Sequence, residues 1–111
     1  MPQGGPSLES LERMLASGRD SALLRFGLGS EWLRRGDPAA ALPHLRAAVT
    51  RDPAYSAAWK LLGRACEACG DREGAAAAWR QGVQVAHGRG DRQAAREMEV
   101  FLRRLGAAGG A

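Results

Sequence analysis

Apolar residues recur at three- and four-residue intervals in six stretches of the chain, and polar residues fill the positions between them. This spacing places the apolar side chains on one face of a helix, because an α-helix has about 3.6 residues per turn. Glycine, proline or aspartate separates the stretches, as is typical of helix ends. The pattern predicts an all-α fold whose six helices span about residues 8–17, 22–35, 38–50, 54–69, 72–86 and 91–105.

Part of this pattern returns after about 34 residues, which is the length of a stacked helix-turn-helix unit. Leu28-Gly29 returns as Leu62-Gly63, Gly36-Asp37 as Gly70-Asp71, and Ala41 as Ala75. Small side chains let two antiparallel helices approach closely. We therefore expect Gly29 and Gly63 to face Ala41 and Ala75, with the large residues Trp59 and Trp79 on either side of the contact.

The second unit carries a set of residues at fixed spacings, namely Trp59, Leu62-Gly63, Cys66, Gly70-Asp71, Ala75 and Trp79. This set resembles the tetratricopeptide repeat (TPR) family. The resemblance covers two units, at about residues 22–55 and 56–88. Three positions depart from the family pattern: Arg25 replaces an aromatic residue, Cys66 a tyrosine and His87 the closing proline.

The resemblance implies a right-handed α-α superhelix that forms a single domain at about residues 7–105. Two units are fewer than the three that a stack usually needs, so we expect helix 8–17 and a capping helix 91–105 to cover its ends. Gly90-Asp91 echoes Gly70-Asp71, which predicts that the last helix takes the place of the second helix of a unit. Residues 1–6 and 106–111 are expected to be disordered tails.

Composition and charge narrow the classes of function. The 111 residues include 16 basic and 12 acidic ones, with a formal charge of +4. The two signs alternate along the chain, whereas a nucleic-acid interface concentrates basic residues in a stripe, so we rank nucleic-acid binding below protein binding. No apolar run approaches the ~20 residues of a membrane span, and residues 1–5 lack the pattern of a signal peptide. We expect a cytoplasmic protein.

The resemblance also implies a groove, lined mainly by the first helix of each unit, that binds a peptide of a partner protein. The positions that match the family's groove sites are Leu23, Phe26, Ser30, Leu33, Ala57, Lys60, Arg64 and Glu67, with Arg34 at the rim. Lys60 and Arg64 lie one turn apart, so both cations can point at one ligand carboxylate. The alternative is that they pair only with Glu67 or with solvent.

Leu23 and Phe26 are either apolar anchors in this groove or buried under the first helix. Some members of the TPR family bind the C-terminal carboxylate of a partner with a clamp of lysine, asparagine and arginine. The resemblance does not extend to this clamp, because Ser30 and Arg64 stand where it needs asparagine. We therefore predict an interaction module for an acidic or amphipathic peptide, as a monomer or a weak homodimer. The alternative is a self-association unit that uses the C-terminal helix or the open groove.

No set of residues suggests catalysis, a metal or a cofactor. Cys66 and Cys69 are spaced as a CxxC pair, but a zinc site needs four ligands and no second pair exists. His44 and His87 are isolated in the sequence, with no neighbour that suggests a base or a ligand. We predict a protein that is not an enzyme and needs no metal or cofactor.

Overall fold

The computed structural model of the protein describes residues 7–108, with side chains described to residue 106. Its regular structure is helical throughout, as predicted. The helices, labelled in chain order, are α1 (Leu8–Ala16), α2 (Ala22–Arg34), α3 (Pro38–Arg51), α4 (Ser56–Ala68), α5 (Arg72–Arg89) and α6 (Arg92–Ala108). The predicted tails 1–6 and 109–111 lie outside the described residues. Helix α6 continues past its predicted end at residue 105, so residues 106–108, which we expected in the C-terminal tail, are helical.

The helix ends follow from local residues. Glycines with positive φ follow α1, α2, α4 and α5, because a residue without a Cβ adopts this left-handed conformation at no steric cost; they are Gly18, Gly36, Gly70 and Gly90. At the opposite ends, the side chains of Ser21, Asp37 and Asp71 accept hydrogen bonds from backbone N–H groups of the first turn. These local signals explain why the helix boundaries could be predicted closely.

The helices form two hairpins, α2 with α3 and α4 with α5, and the second hairpin stacks on the first. Helix α6 packs against α5 and α4 in the same way as α4 packs against α3 and α2. It therefore occupies the place of a first helix in a third unit. The prediction that it takes the place of a second helix is wrong, because a glycine–aspartate pair marks a helix stop and a helix start without specifying which helix follows.

The two glycines of the repeat lie against larger side chains than predicted. A Cβ on Gly29 would meet Leu45, and one on Gly63 would overlap the indole of Trp79. Leu45 and Trp79 are equivalent positions of α3 and α5, and both are fully buried. We expected Ala41 and Ala75 to be the nearest neighbours of these glycines, and this is wrong. The space left by the absent glycine side chain is filled by a large residue of the second helix.

The two ends of the stack are closed differently. At the C-terminal end, Met98 and Ala95 of α6 are buried in the main core, and Ser56 Oγ donates a hydrogen bond to Asp91 Oδ2 at 3.3 Å. At the N-terminal end, Leu8 and Leu11 of α1 join a separate, smaller cluster with α2. Helix α1 therefore covers less of the stack than α6 does.

Candidate functional site

The first helices α2, α4 and α6 lie side by side and form a surface with two adjoining cavities, which we call the groove wall. One cavity, of about 500 Å³, lies between α2 and α4 and is lined by Ser30, Leu33, Arg34, Leu61, Arg64, Glu67 and Ala68. The other, of about 450 Å³, lies between α4 and α6 and is lined by Arg64, Glu67, Trp79, Phe101 and Arg104. Arg64 and Glu67 line both cavities, so the wall is continuous across the three helices.

The groove wall unites five of the nine predicted groove residues, namely Ser30, Leu33, Arg34, Arg64 and Glu67. Leu23 and Phe26 line a different cavity between α1 and α2, to which Ser30 also contributes. Ala57 and Lys60 line neither of the two cavities of the groove wall. The predicted set thus divides between two surfaces, because α2 presents one side to α4 and another to α1.

The side chain of Lys60 contacts another helix of the protein. Its Nζ lies 3.0 Å from Glu97 Oε1 on α6, and the ammonium donates a hydrogen bond to that carboxylate. Neither of the alternatives drawn from the sequence describes this contact, since Glu97 is neither a ligand nor the predicted partner Glu67. Lys60 therefore ties α6 to α4, and Arg64 is the α4 cation that lines the groove wall.

Arg64 and Arg104 are the cations that α4 and α6 contribute to the groove wall. The Arg64 guanidinium lies 5.9 Å from the centroid of the Phe101 ring, within the range of a cation–π contact. Among residues 7–106, neither arginine forms an ion pair. Both guanidinium groups can therefore donate hydrogen bonds to an acidic ligand.

Arg34, at the rim, is already engaged. Its Nε donates to Glu31 Oε1 at 3.2 Å, and Arg35 donates to the same carboxylate at 3.0 Å. The hydrogen bonds from Arg34 and then Arg35 lower the pKa of Glu31 below its ordinary value. This acid stays ionised and offsets one of the two positive charges at the rim.

Sequence reasoning missed the part of the wall that α6 contributes. Phe101 and Arg104 line the second cavity, and Leu61 and Ala68 of α4 line the first. The apolar stripe of α6 was visible in the sequence, but its place in the row of first helices was not. Phe101 stands one repeat length after the predicted groove residue Glu67, whereas Arg104 matches none of the predicted groove positions.

A second candidate surface, which we call the N-terminal cavity, lies between α1 and α2. It has a volume of about 720 Å³, and its lining is mostly apolar. Leu23, which lines it, is 72% exposed, so burial of this residue under the first helix is wrong. Phe26 is half-buried and stacks on Tyr55, with ring centroids 4.9 Å apart.

A polar cluster lies behind the N-terminal cavity. Asp20 accepts hydrogen bonds from Arg25 Nε at 2.8 Å and from Arg51 at 2.6 Å, and the pKa of Asp20 is lowered mainly by the bond from Arg25. His44 Nδ1 lies 3.1 Å from Arg25 Nη1. Burial lowers the pKa of His44, and the nearby Arg25 charge lowers it further, so this imidazole favours the neutral form.

The cysteines form no reactive pair. Cys66 is buried in the core and Cys69 is exposed. Burial raises the pKa of the Cys66 thiol, which keeps it protonated and weakly nucleophilic. Within the described range, no three His, Cys, Asp or Glu residues come together as a metal-binding group. None of the helices seen in residues 7–108 is both long enough and apolar enough to cross a membrane.

Comparison with known proteins places this architecture in a family. The sequence profile of the tetratricopeptide repeat family matches residues 33–98. The TPR repeat-containing protein PA0015 of Pseudomonas aeruginosa (strain PAO1) is 56% identical over 98 residues, which are 88% of this chain and 93% of that protein.

Two solved structures have the same arrangement of helices. Protein BPP2914 from Bordetella parapertussis is 50% identical, with a TM-score of 0.80 over 95% of this chain and 91% of its own. A tetratricopeptide repeat domain protein from Salinibacter ruber has a TM-score of 0.74 over 79% of this chain and 98% of its own. At 23% identity, the similarity to this second structure shows a shared fold and nothing more.

Proposed function

The chain belongs to the tetratricopeptide repeat family, and on this premise we propose that it is a non-enzymatic interaction module that binds a peptide segment of a partner protein on the groove wall. Domains of this family are protein-interaction scaffolds, and the position of α6 extends the wall to three helices. A short peptide lying across these helices would contact both cavities at once.

The ligand that fits the groove wall best is acidic with at least one apolar side chain. Arg64 and Arg104 both line the second cavity, and a guanidinium pairs well with a carboxylate through two parallel hydrogen bonds. Leu33, Leu61 and Phe101 offer apolar contacts beside these cations. The single observation that carries the proposal is this pair of arginines, unpaired among residues 7–106, beside an aromatic ring.

Binding is expected to be of modest strength. A wall of three short helices offers less surface than the ~800 Å² per partner of a standard stable interface. Mixed apolar and charged contacts can still give a specific complex when the carboxylate reaches both arginines. A dissociation constant on the order of 1–100 μM would suit such an interface.

The test is a binding measurement with purified protein. Acidic amphipathic peptides, synthetic or taken from proteins captured in the native cell, are titrated into the protein, and amide shifts are followed by NMR. We expect shifts at residues of α2, α4 and α6 that line the groove wall. The Arg64→Glu, Arg104→Glu double variant should weaken binding at least roughly tenfold, because it replaces two attractive charges with repulsive ones.

The matched control is the Arg46→Glu, Arg80→Glu double variant. It makes the same change in net charge at exposed, repeat-equivalent positions of the second helices α3 and α5. This control should bind as the unmodified protein does. Equal weakening by both variants would mean that net charge alone attracts the peptide, and full binding by the Arg64/Arg104 variant would refute the groove wall as the site.

Two further aspects of the function stay predictions. A cytoplasmic location is testable by fractionation of the native cell. The low rank of nucleic-acid binding is testable with a labelled oligonucleotide, because binding through dispersed arginines would fall steeply as salt increases. Oligonucleotide binding that persists at physiological salt would contradict this ranking.

A further inference from the structure

His44 lies where the first three helices meet, and it faces two opposite charges. Its Nδ1 lies 3.1 Å from Arg25 Nη1 of α2, and its Nε2 lies 4.0 Å from Glu12 Oε1 of α1. The side chain is 14% exposed, so a proton can reach the ring from water. A group that titrates near neutral pH thus stands between a cation of one helix and an anion of another.

The contact with Arg25 determines which nitrogen of the neutral ring carries the proton. A guanidinium stays charged and has only hydrogen-bond donors. Nδ1 can therefore take part in this contact only as an acceptor, through its lone pair. The proton of the neutral imidazole is then on Nε2, which faces Glu12.

Arg25 is fixed in place by Asp20. Its Nε and Nη2 donate two parallel hydrogen bonds to the Asp20 carboxylate, at 2.8 and 2.9 Å, and Arg51 donates a third at 2.6 Å. A proton added to Nδ1 of His44 would remove the acceptor of the Arg25 contact and bring two cations together. Because the guanidinium is held by Asp20, the imidazole is the group that moves.

Glu12 is the acid to which the charged ring can turn. Asp20 already accepts hydrogen bonds from both arginines, whereas the Glu12 side chain is 48% exposed and its Oε1 lies beyond hydrogen-bond distance of Nε2. Closing this gap by about 1 Å would give a charge-assisted hydrogen bond. We propose that His44 is a proton-operated switch: the neutral ring accepts a hydrogen bond from Arg25 of α2, and the ring that has taken a proton from water leaves Arg25 and pairs with Glu12 of α1.

The charges around His44 set the pH at which the exchange takes place. The pKa of His44 is lowered from its ordinary value of 6.5, first by burial and then by Arg25, while Glu12 and Asp20 act in the opposite direction. Helix α4 also packs against α3, but within residues 7–106 it contributes no ion pair to His44. We therefore expect the exchange below pH 6.5, where the ring takes up its second proton.

The exchange acts on the N-terminal cavity, because α1 and α2 form its walls. At neutral pH, His44 ties α3 to α2. In acid this tie is lost and α3 is tied to α1 instead, so the two walls change position relative to each other. The switch does not depend on what the groove wall binds.

The first experiment determines the tautomer by NMR. The ¹⁵N chemical shift of an imidazole nitrogen differs between a nitrogen that carries a proton and one that carries a lone pair. At about pH 8, we expect the proton of His44 on Nε2 alone. The chain has two histidines, so the His87→Gln variant identifies the signals of His44. This measurement needs no substitution near the switch.

The second experiment follows the ring and the backbone amides from about pH 8 to about pH 4.5. We expect the His44 signals to titrate with a midpoint below pH 6.5. Amides of α1 and α2 around Glu12 and Arg25 should shift with the same midpoint. Amides of α6 around Met98, at the other end of the stack, should not follow it.

The Glu12→Gln variant removes the acid and keeps the size of the side chain. It should lower the His44 midpoint by on the order of 0.5 pH unit, because an opposite charge about 4 Å away favours the imidazolium. The shifts of the α1 amides at this midpoint should disappear. The matched control is Glu99→Gln, which removes the same charge beside His87, where the two side chains are 3.6 Å apart. In this control, His44 should titrate as it does in the unmodified protein.

Three results would overturn the proposal. A neutral ring with its proton on Nδ1 excludes the hydrogen bond from Arg25. Amides of α1 that do not shift at the His44 midpoint exclude Glu12 as the second partner, and so do equal midpoints in the Glu12→Gln and Glu99→Gln variants. The Arg64→Glu, Arg104→Glu variant should keep the titration of His44, so failure of the switch and failure of the groove-wall proposal are distinguishable.

Discussion

The two ends of the stack are built from similar units but closed by different means. At the C-terminal end, α6 is held by its own core residues and by the Lys60–Glu97 ion pair. Ser56 also donates a hydrogen bond to Asp91, and Arg72 donates one to the Leu105 carbonyl. At the N-terminal end, α1 contributes two buried leucines and leaves an open apolar cavity beside them. The repeat pattern sets the hairpins, whereas residues outside the repeat decide how firmly each end is closed.

The same difference appears inside the two units. Gly29 and Gly63 occupy equivalent positions, but the first faces the flexible side chain of Leu45 and the second the rigid indole of Trp79. The Trp79 Nε1–H donates a hydrogen bond to the Lys60 carbonyl at 3.1 Å, which fixes the ring. The second unit is therefore packed with less freedom to adjust than the first.

The largest expected effect comes from removing each end helix in turn. A chain that stops at residue 90 loses Met98 and the contact between Phe101 and Trp79, whose ring centroids are 5.2 Å apart. We expect the loss to approach the whole free energy of unfolding of a small domain, about 5–15 kcal/mol. A chain that starts at residue 18 should still unfold cooperatively, with a lower midpoint in urea.

Circular dichroism during urea titration measures the free energy of unfolding of both truncated chains. The truncation at the N-terminal end forfeits the burial of Leu8 and Leu11, at about 1.5–3 kcal/mol for each side chain. Cooperative unfolding of the chain without α6, with a stability close to that of the chain without α1, would contradict the comparison of the two ends.

An intermediate effect is expected from adding a methyl group at the equivalent glycines. The Gly63→Ala change should destabilise the protein by about 1–3 kcal/mol, because the new Cβ overlaps the buried indole of Trp79. The Gly29→Ala change should cost less, since Leu45 can change its rotamer. Thermal and urea unfolding of the two variants measure the difference.

Gly88→Ala is the matched control for these substitutions. Gly88 lies in α5, and a Cβ built there meets no other atom within 4 Å. This change should stabilise the helix by up to about 1 kcal/mol through propensity alone. Equal destabilisation by Gly29→Ala and Gly63→Ala would show that the two units adjust equally well.

The smallest expected effect is the pH dependence contributed by His44 at the N-terminal end. Its pKa is lowered in the folded state from the ordinary value of 6.5, because burial and the Arg25 charge disfavour the imidazolium. Its contribution to stability is thus fully present above pH 6.5 and is lost as the pH falls through the lowered pKa. Glu12 and Asp20, which act in the opposite direction, reduce this loss.

Melting temperatures between pH 7.5 and pH 5 measure this effect. The His44→Gln variant should show a smaller decline than the unmodified protein, because glutamine does not titrate and can still accept a hydrogen bond from Arg25. His87 at the other end has a 60% exposed side chain, so the His87→Gln variant should keep the decline that His44 causes. Identical declines in the unmodified and His44→Gln proteins would disprove the role of His44.

The helices and their order could be predicted from the sequence because the signals that begin and end each helix are local. Gly36-Asp37 and Gly70-Asp71 end one helix and cap the next through their own backbone and side chains. The spacing of the apolar residues then gave the register of the repeat. Contacts between elements were harder to predict, as Gly63 shows: both Ala75 and Trp79 lie on the buried face of α5, and only the packing angle selects Trp79.

The candidate site was predictable only in part. Arg64 and Glu67 line the groove wall as the family pattern implied, but Arg104 and Phe101 depend on the place of α6. The family pattern placed Lys60 among the groove residues, with a ligand, Glu67 or solvent as its expected contacts. Its actual partner Glu97 lies 37 residues away along the chain, and sequence spacing says nothing about contact at that separation. Long-range ion pairs of this kind need the tertiary structure.

The placement of α6 also has a consequence for engineering. Its exposed arginines Arg92, Arg96 and Arg103 form a water-compatible face on which a further repeat could stack only after these side chains were replaced. The opposite end already presents leucine and methionine to solvent. Extra repeats fused ahead of residue 7 would meet a ready-made hydrophobic surface, so a longer array can be grown from this scaffold in one direction with far fewer substitutions than in the other.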